Sequence, residues 1–198
     1  MKTHSIIAYL LLSGLIAGCA SGIRGDAPPS EASDIANDAP PSSSYACQTK
    51  QIKGAPTAGE GAYGCHFYLH HPETHQILAN TAYHLAIYPA PSTSKEHPSP
   101  VVKLQGVTDA QGRSGYVRAA FPITPDRVQF VERIGSGPYG LSPRLLRPTD
   151  GLAMPGMNYV VKWCGEPYTG MTDERGNGAM FSSTSDSCKV DVSFYRKR

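Results

Sequence analysis

The chain has no apolar run long enough to cross a bilayer: the stretch Ile6 to Ala17 falls short of the roughly 20 residues that a spanning helix needs. Charge is scarce as well. Only 17% of the 198 residues are charged, and 18 Lys/Arg against 16 Asp/Glu leave a formal net charge of +2. So even a balance excludes steering onto a polyanion, and nothing points to nucleic acid. There is a single Trp, no Cys-x-x-Cys pair, no glycine loop leading into a helix and no calcium-loop pattern. No helical apolar stripe is present either. What the chain has in quantity is 20 Gly and 17 Pro, the composition of a turn-rich β protein.

The N-terminus carries an address. Lys2, the short apolar stretch and the small residues after it describe a secretory signal. The sequence Leu15-Ile16-Ala17-Gly18-Cys19 resembles the bacterial lipoprotein signal, with residues 1–18 removed and Cys19 receiving diacylglycerol and a further acyl chain. Several acyl chains give the stable anchoring that one cannot. Ala20 is not Asp, which by resemblance to Gram-negative sorting patterns favours the outer membrane. From there to Ala46 the chain is rich in Ala, Ser, Pro and Asp and poor in apolar residues, so 19–46 reads as the lipidated Cys and a disordered tether. Its root-mean-square reach is roughly 30 Å. The folded part is then expected in the periplasm.

With Cys19 assigned to lipid, Cys47, Cys65, Cys164 and Cys188 form an even set in an exported chain, and disulfides are the default. Three connectivities are open. Cys47–Cys65 with Cys164–Cys188 is preferred because each pair closes a short local loop.

The most specific signal is internal. Gly106-Val-Thr108-Asp109-Ala-Gln-Gly112 recurs as Gly170-Met-Thr172-Asp173-Glu-Arg-Gly176. Asp opening a turn and Gly closing it three residues later is hairpin chemistry. Leu69 to Tyr83 aligns without gaps on Leu145 to Tyr159, matching Pro72 with Pro148 and Tyr83 with Tyr159. The first copy differs mainly by a Pro- and Ser-rich stretch, Pro89 to Pro100, which reads as an inserted surface loop. Around these anchors the apolar period is two residues, as in Tyr83 to Ile87, Val128 to Val131 and Val190 to Phe194. The expected fold is therefore all-β, two tandem antiparallel sandwich-like repeats over 47–133 and 134–198. The second is short to close alone, so the copies are expected to pack together or share a sheet, with Ile134 to Gly140 as the joint.

These copies resemble the transthyretin-like, or prealbumin-like, β-modules of bacterial envelope and secretion proteins, in particular segments associated with type VI secretion spike and effector proteins. Such modules act as spacers, adaptors or binding platforms. The resemblance implies a protein partner, with the chain as the immunity or accessory lipoprotein of a secreted effector. A general envelope or surface component without a toxin partner is the alternative.

An enzyme is not expected. Thr108-Asp109 and Thr172-Asp173 have a sufficient role as turns, and Ser136 and the Ser92-to-Lys95 match lack the elements that would activate a serine. The best candidates for site chemistry are His66, His70, His71 and His75, with His84 on the next strand. Zinc or copper there is a third reading, although the cluster lacks a regular ligand spacing. For partner binding, the loop with Lys95, Glu96 and His97 and the joint with Pro138, Tyr139 and Leu141 stand in excess of the fold; Phe121, Pro122 and Tyr139 are aromatic or rigid candidates, while Trp163, beside Cys164, reads as core.

Overall fold

In a computed structural model of the protein, residues 40–90 and 99–195 are described. The expected signal peptide, Cys19, most of the tether and residues 91–98 of the expected loop, with Lys95, Glu96 and His97, lie outside them. The period-two segments become strands, eleven among the described residues, and the chain is all-β. They are β1 (Thr57–Ala58), β2 (Tyr63–Cys65), β3 (Ala82–Ile87), β4 (Val102–Val107), β5 (Tyr116–Ala119), β6 (Val128–Gly135), β7 (Tyr139–Leu141), β8 (Asn158–Trp163), β9 (Glu166–Met171), β10 (Met180–Ser183) and β11 (Val190–Tyr195). The described helical content is one 3-10 turn, Pro125–Arg127, and no described helix is long and apolar enough to cross a membrane.

Alternation along β3 decides which face is core. Tyr83, Leu85 and Ile87 point inward with Val102 and Leu104 of β4 and Val128 and Phe130 of β6. Facing them is the small sheet β1-β5-β2, which contributes Cys65, Val117 and Ala119. Phe130 meets Tyr83 edge-on at 5.4 Å, and burying such a ring contributes about 1.5–3 kcal/mol. A second core gathers Tyr159, Val161 and Trp163 of β8 with Phe181 of β10, packed by Tyr168, Val192 and Phe194. Trp163 is buried there, as expected.

The two halves share one strand, and this is how the short second half is completed. Residues Val128 to Glu132 of β6 pair antiparallel with β3. Arg133 to Gly135 then pair parallel with β10, extending the sheet to β4-β3-β6-β10-β7. The parallel pairing of β1 with β5 has the same form. The opposite sheet of the second half is β11-β8-β9. The segment expected as the joint, Ile134 to Gly140, is thus strand and strand connection. Gly135 lies in β6 with its Cα against the Ser182 carbonyl, too close for any Cβ.

Both disulfides take the preferred connectivity, Cys47–Cys65 and Cys164–Cys188. The first holds the incoming chain beside β2, where Gln48 and His66 exchange backbone hydrogen bonds of 3.0 and 2.9 Å. The second starts from the two-residue turn between β8 and β9, whose Cys164 and Gly165 both have positive φ, as a primed hairpin turn requires.

Candidate functional site

The two Asp-x-x-Gly turns are built from the same bonds. Asp109 Oδ1 accepts from the amides of Gln111 and Arg113, both at 2.9 Å, and the Gly112 amide donates to the Asp109 carbonyl at 2.9 Å. Asp173 Oδ1 accepts from Arg175 and Asn177 at 2.8 Å each, and the Gly176 amide donates to Asp173 at 3.0 Å. Thr108 donates to the Leu78 carbonyl and Thr172 to that of Met154, at 2.7 and 2.8 Å, while accepting from the amides of Thr81 and Met157. Gly106 and Gly170 lie flat against the rings of Tyr83 and Tyr159, and those two hydroxyls accept from the amides of Gly115 and Ala179 at 2.9 and 3.0 Å. The Asp positions thus close the turns, and the Thr positions tie them to the preceding loops.

A further correspondence joins the two halves. Gly59-x-Gly61-x-Tyr63-Gly64 matches Gly135-x-Gly137-x-Tyr139-Gly140. Both segments run close along the strand they cross, against carbonyls of Arg118 and Ala119 in one case and Ser182 and Ser183 in the other.

The turns differ in their surroundings, and that difference is chemical. Asp109 is near solvent and paired with Arg113 at 2.6 Å. Partial burial raises its carboxyl, but the bonds from Arg113 and the Gln111 amide outweigh it and hold it below the usual value. At Asp173 the place of Arg113 is taken by the uncharged Asn177, whose Nδ2 donates to Asp173 Oδ2 at 3.4 Å. Tyr45 lies over it, its hydroxyl donating to Asp173 Oδ2 and accepting from Asn177 Nδ2 at 3.1 Å. Desolvation pushes the Asp173 carboxyl up, and desolvation together with the adjacent carboxylate pushes the Tyr45 phenol up. The Arg175 guanidinium stacks on the Tyr45 ring at 5.6 Å.

The end of the expected tether therefore belongs to the fold. Tyr45 is 2% exposed within the first core. Ser43 donates to Glu174, and Ser44 Oγ receives the His70 amide at 3.0 Å. Composition hid this because a single Tyr in a Ser-rich run buries little by itself; its burial depends on the second half.

The histidines part company. His66 is buried beside Tyr68 and faces Gln48 across the bridge. His70 Nδ1 lies 3.1 Å from Ser44 Oγ and 3.0 Å from the Tyr68 carbonyl. His71 Nδ1 accepts from the amides of Glu73 and Thr74 at 3.2 and 3.3 Å, closing a turn that His75 completes at φ 56°. Among the described residues no three His, Cys, Asp or Glu side chains are grouped to hold a metal ion.

Two clefts open where the halves meet. The larger, about 440 Å³, is lined by His70, His71, Glu73, Glu132, Tyr159 and Tyr195 among others. Burial raises the Glu132 carboxyl, and nearby His71 partly offsets this. The smaller, about 390 Å³, lies on the outer face of β3, with His84, Tyr88, Lys103, Gln129, Ser142 and Arg144 in its wall. None of Lys103, Glu132 or Arg144 carries a sequence motif; the topology alone puts them at these clefts. Tyr139 is exposed on β7, and Phe121 is half-buried under the Arg127 guanidinium at 4.8 Å.

Compared with protein-family models, curated proteins and solved structures, the chain matches none.

Proposed function

We propose that the chain is an outer-membrane lipoprotein, held on the periplasmic side by acylated Cys19, whose transthyretin-like modules bind a protein partner as the immunity or accessory protein of a secreted effector. The observation that carries the anchoring is the sequence Leu15-Ile16-Ala17-Gly18-Cys19 after a basic, apolar start. The cysteine economy supports it: the two disulfides use Cys47, Cys65, Cys164 and Cys188 and leave Cys19 out of both. The partner rests on the resemblance of the repeated turns, and their side chains are spent on architecture. Recognition then falls to the clefts and to exposed positions such as Tyr139.

The anchor is tested by fractionation and mass spectrometry of the chain and of Cys19→Ala. Acyl mass on the peptide beginning at Cys19 and membrane retention lost in the variant are expected; an unmodified thiol refutes the anchor. For the partner, the reading expects an effector gene beside this one, and calorimetric titration against its product should give stoichiometric binding at micromolar concentration or below; absence of such a gene counts against the immunity reading. Absence of binding refutes the immunity reading.

A further inference from the structure

The smaller cleft has a one-sided chemistry that partner recognition by itself does not require. Lys103 on β4 and Arg144 after β7 both line it, and no described Asp or Glu does. Its uncharged groups are fixed in a chain. Tyr88 donates to Gln129 Oε1 at 3.1 Å, Gln129 Nε2 donates to Ser142 Oγ at 2.9 Å, and Ser142 donates to the Gly178 carbonyl at 2.9 Å. The wall is thus set in place before anything binds.

His84 has its back to this cleft's supports. Arg133 donates to Gln105 Oε1 at 3.1 Å, which turns the Gln105 amide nitrogen toward His84 Nδ1 at 3.4 Å. Nδ1 is therefore an acceptor and the neutral ring carries its proton on Nε2. His84 is 5% exposed. Desolvation, then Lys103 and Arg133, lowers its pKa to about 4. A buried donor beside positive charges, at a cleft lined by no carboxylate among the described residues, is the arrangement that oxyanions complete.

We propose that this cleft binds a small anionic solute through a carboxylate or phosphate group held by Lys103, Arg144 and the Nε2–H of His84. The volume, about 390 Å³, suits a small molecule. Among the described residues the other charged and titratable groups around the site are Tyr88 just after β3, Arg133 on β6, and Tyr45, Asp173 and Arg175, which act on Arg144. Asp173 is already engaged by Tyr45 and by two amides of its own turn. A bound anion favours imidazolium, so it raises the His84 pKa, and binding tightens as pH falls toward that value.

The test is calorimetric titration of the full chain in detergent with inorganic phosphate and, separately, with succinate, each against sodium chloride of equal ionic strength. Saturable binding of either is expected, at least tenfold weaker in Lys103→Gln and in Arg144→Met. Lys103 is exposed on a sheet edge, so its substitution leaves the fold intact even where that of Arg144 does not. Phosphate binding alone identifies a phosphate-bearing solute, succinate binding alone a carboxylate-bearing one. In parallel, the His84 ring resonance should titrate at higher pH with saturating ligand. Binding no stronger than chloride, undiminished binding in Lys103→Gln, or an unmoved His84 titration overturns the proposal.

Discussion

Replacing Gly176 and Gly112 with Ala should destabilise the protein unequally, although the two glycines hold equivalent places in equivalent turns. Both sit at positive φ, 75° and 79°, where a Cβ costs about 1–2 kcal/mol. What the new methyl meets then separates them. At Gly176 it would lie 2.5 Å from the Leu145 carbonyl oxygen and 3.2 Å from the Met154 amide nitrogen. Those atoms belong to the backbone ribbon in which Leu145 donates to Gly176 at 2.8 Å and Met154 donates to Leu145 at 3.0 Å. Relief requires moving hydrogen-bonded main chain, about 1–3 kcal/mol more. At Gly112 the obstacle is the Ile77 Cγ2 methyl, which a rotamer change displaces for about 0.5–1.5 kcal/mol. Gly176→Ala should therefore cost about 1 kcal/mol more than Gly112→Ala, some 2–4 °C in melting temperature for a domain of this size. Gln111→Ala, at an exposed turn centre, should stay within about 0.5 kcal/mol. Urea unfolding and thermal melts at pH 7 measure all three. A Gly112 variant that costs more than the Gly176 variant, or no more than Gln111→Ala, refutes the assignment of strain to these turns.

Tyr45→Phe should cost about 1–3 kcal/mol in urea unfolding, since it removes a buried hydroxyl that serves both Asp173 and Asn177; a loss under about 0.5 kcal/mol would mean that the N-terminal segment is not docked there. The two turn aspartates should respond oppositely to pH. Asp109 has a lowered carboxyl, so it contributes stability present above the ordinary value of 3.8 and lost as pH falls through its folded value. Asp173 is raised, so its contribution is full below 3.8 and is lost as pH rises through its folded value. Relative to the parent, Asp109→Asn should therefore fare worse at pH 7 than at pH 3, and Asp173→Asn better, in paired thermal melts; parallel shifts in the two variants would contradict the electrostatic account. Removing either disulfide by paired Cys→Ala substitution should cost about 3 kcal/mol by the chain-entropy model, given loops of 18 and 24 residues; unchanged urea midpoints would contradict it.

The sequence by itself determined the all-β class, the local pairing of four cysteines and the places of the repeated turns, because each is a short-range property. A two-residue apolar period, a Gly at positive φ and a loop of two dozen residues or fewer are settled within one segment. The match of Gly59 to Gly64 with Gly135 to Gly140 was equally local, but glycine-rich stretches look like linkers until the strand they lie against is known. The tertiary structure alone decided that β6 serves both sheets, that Tyr45 leaves the tether to cover Asp173, and that the repeated aspartates are electrostatic opposites. It also placed Glu132 in one cleft and Lys103, Arg144 and His84 in the other. Those outcomes depend on which distant chain covers a given face, and the desolvation that follows cannot be read from neighbours in sequence.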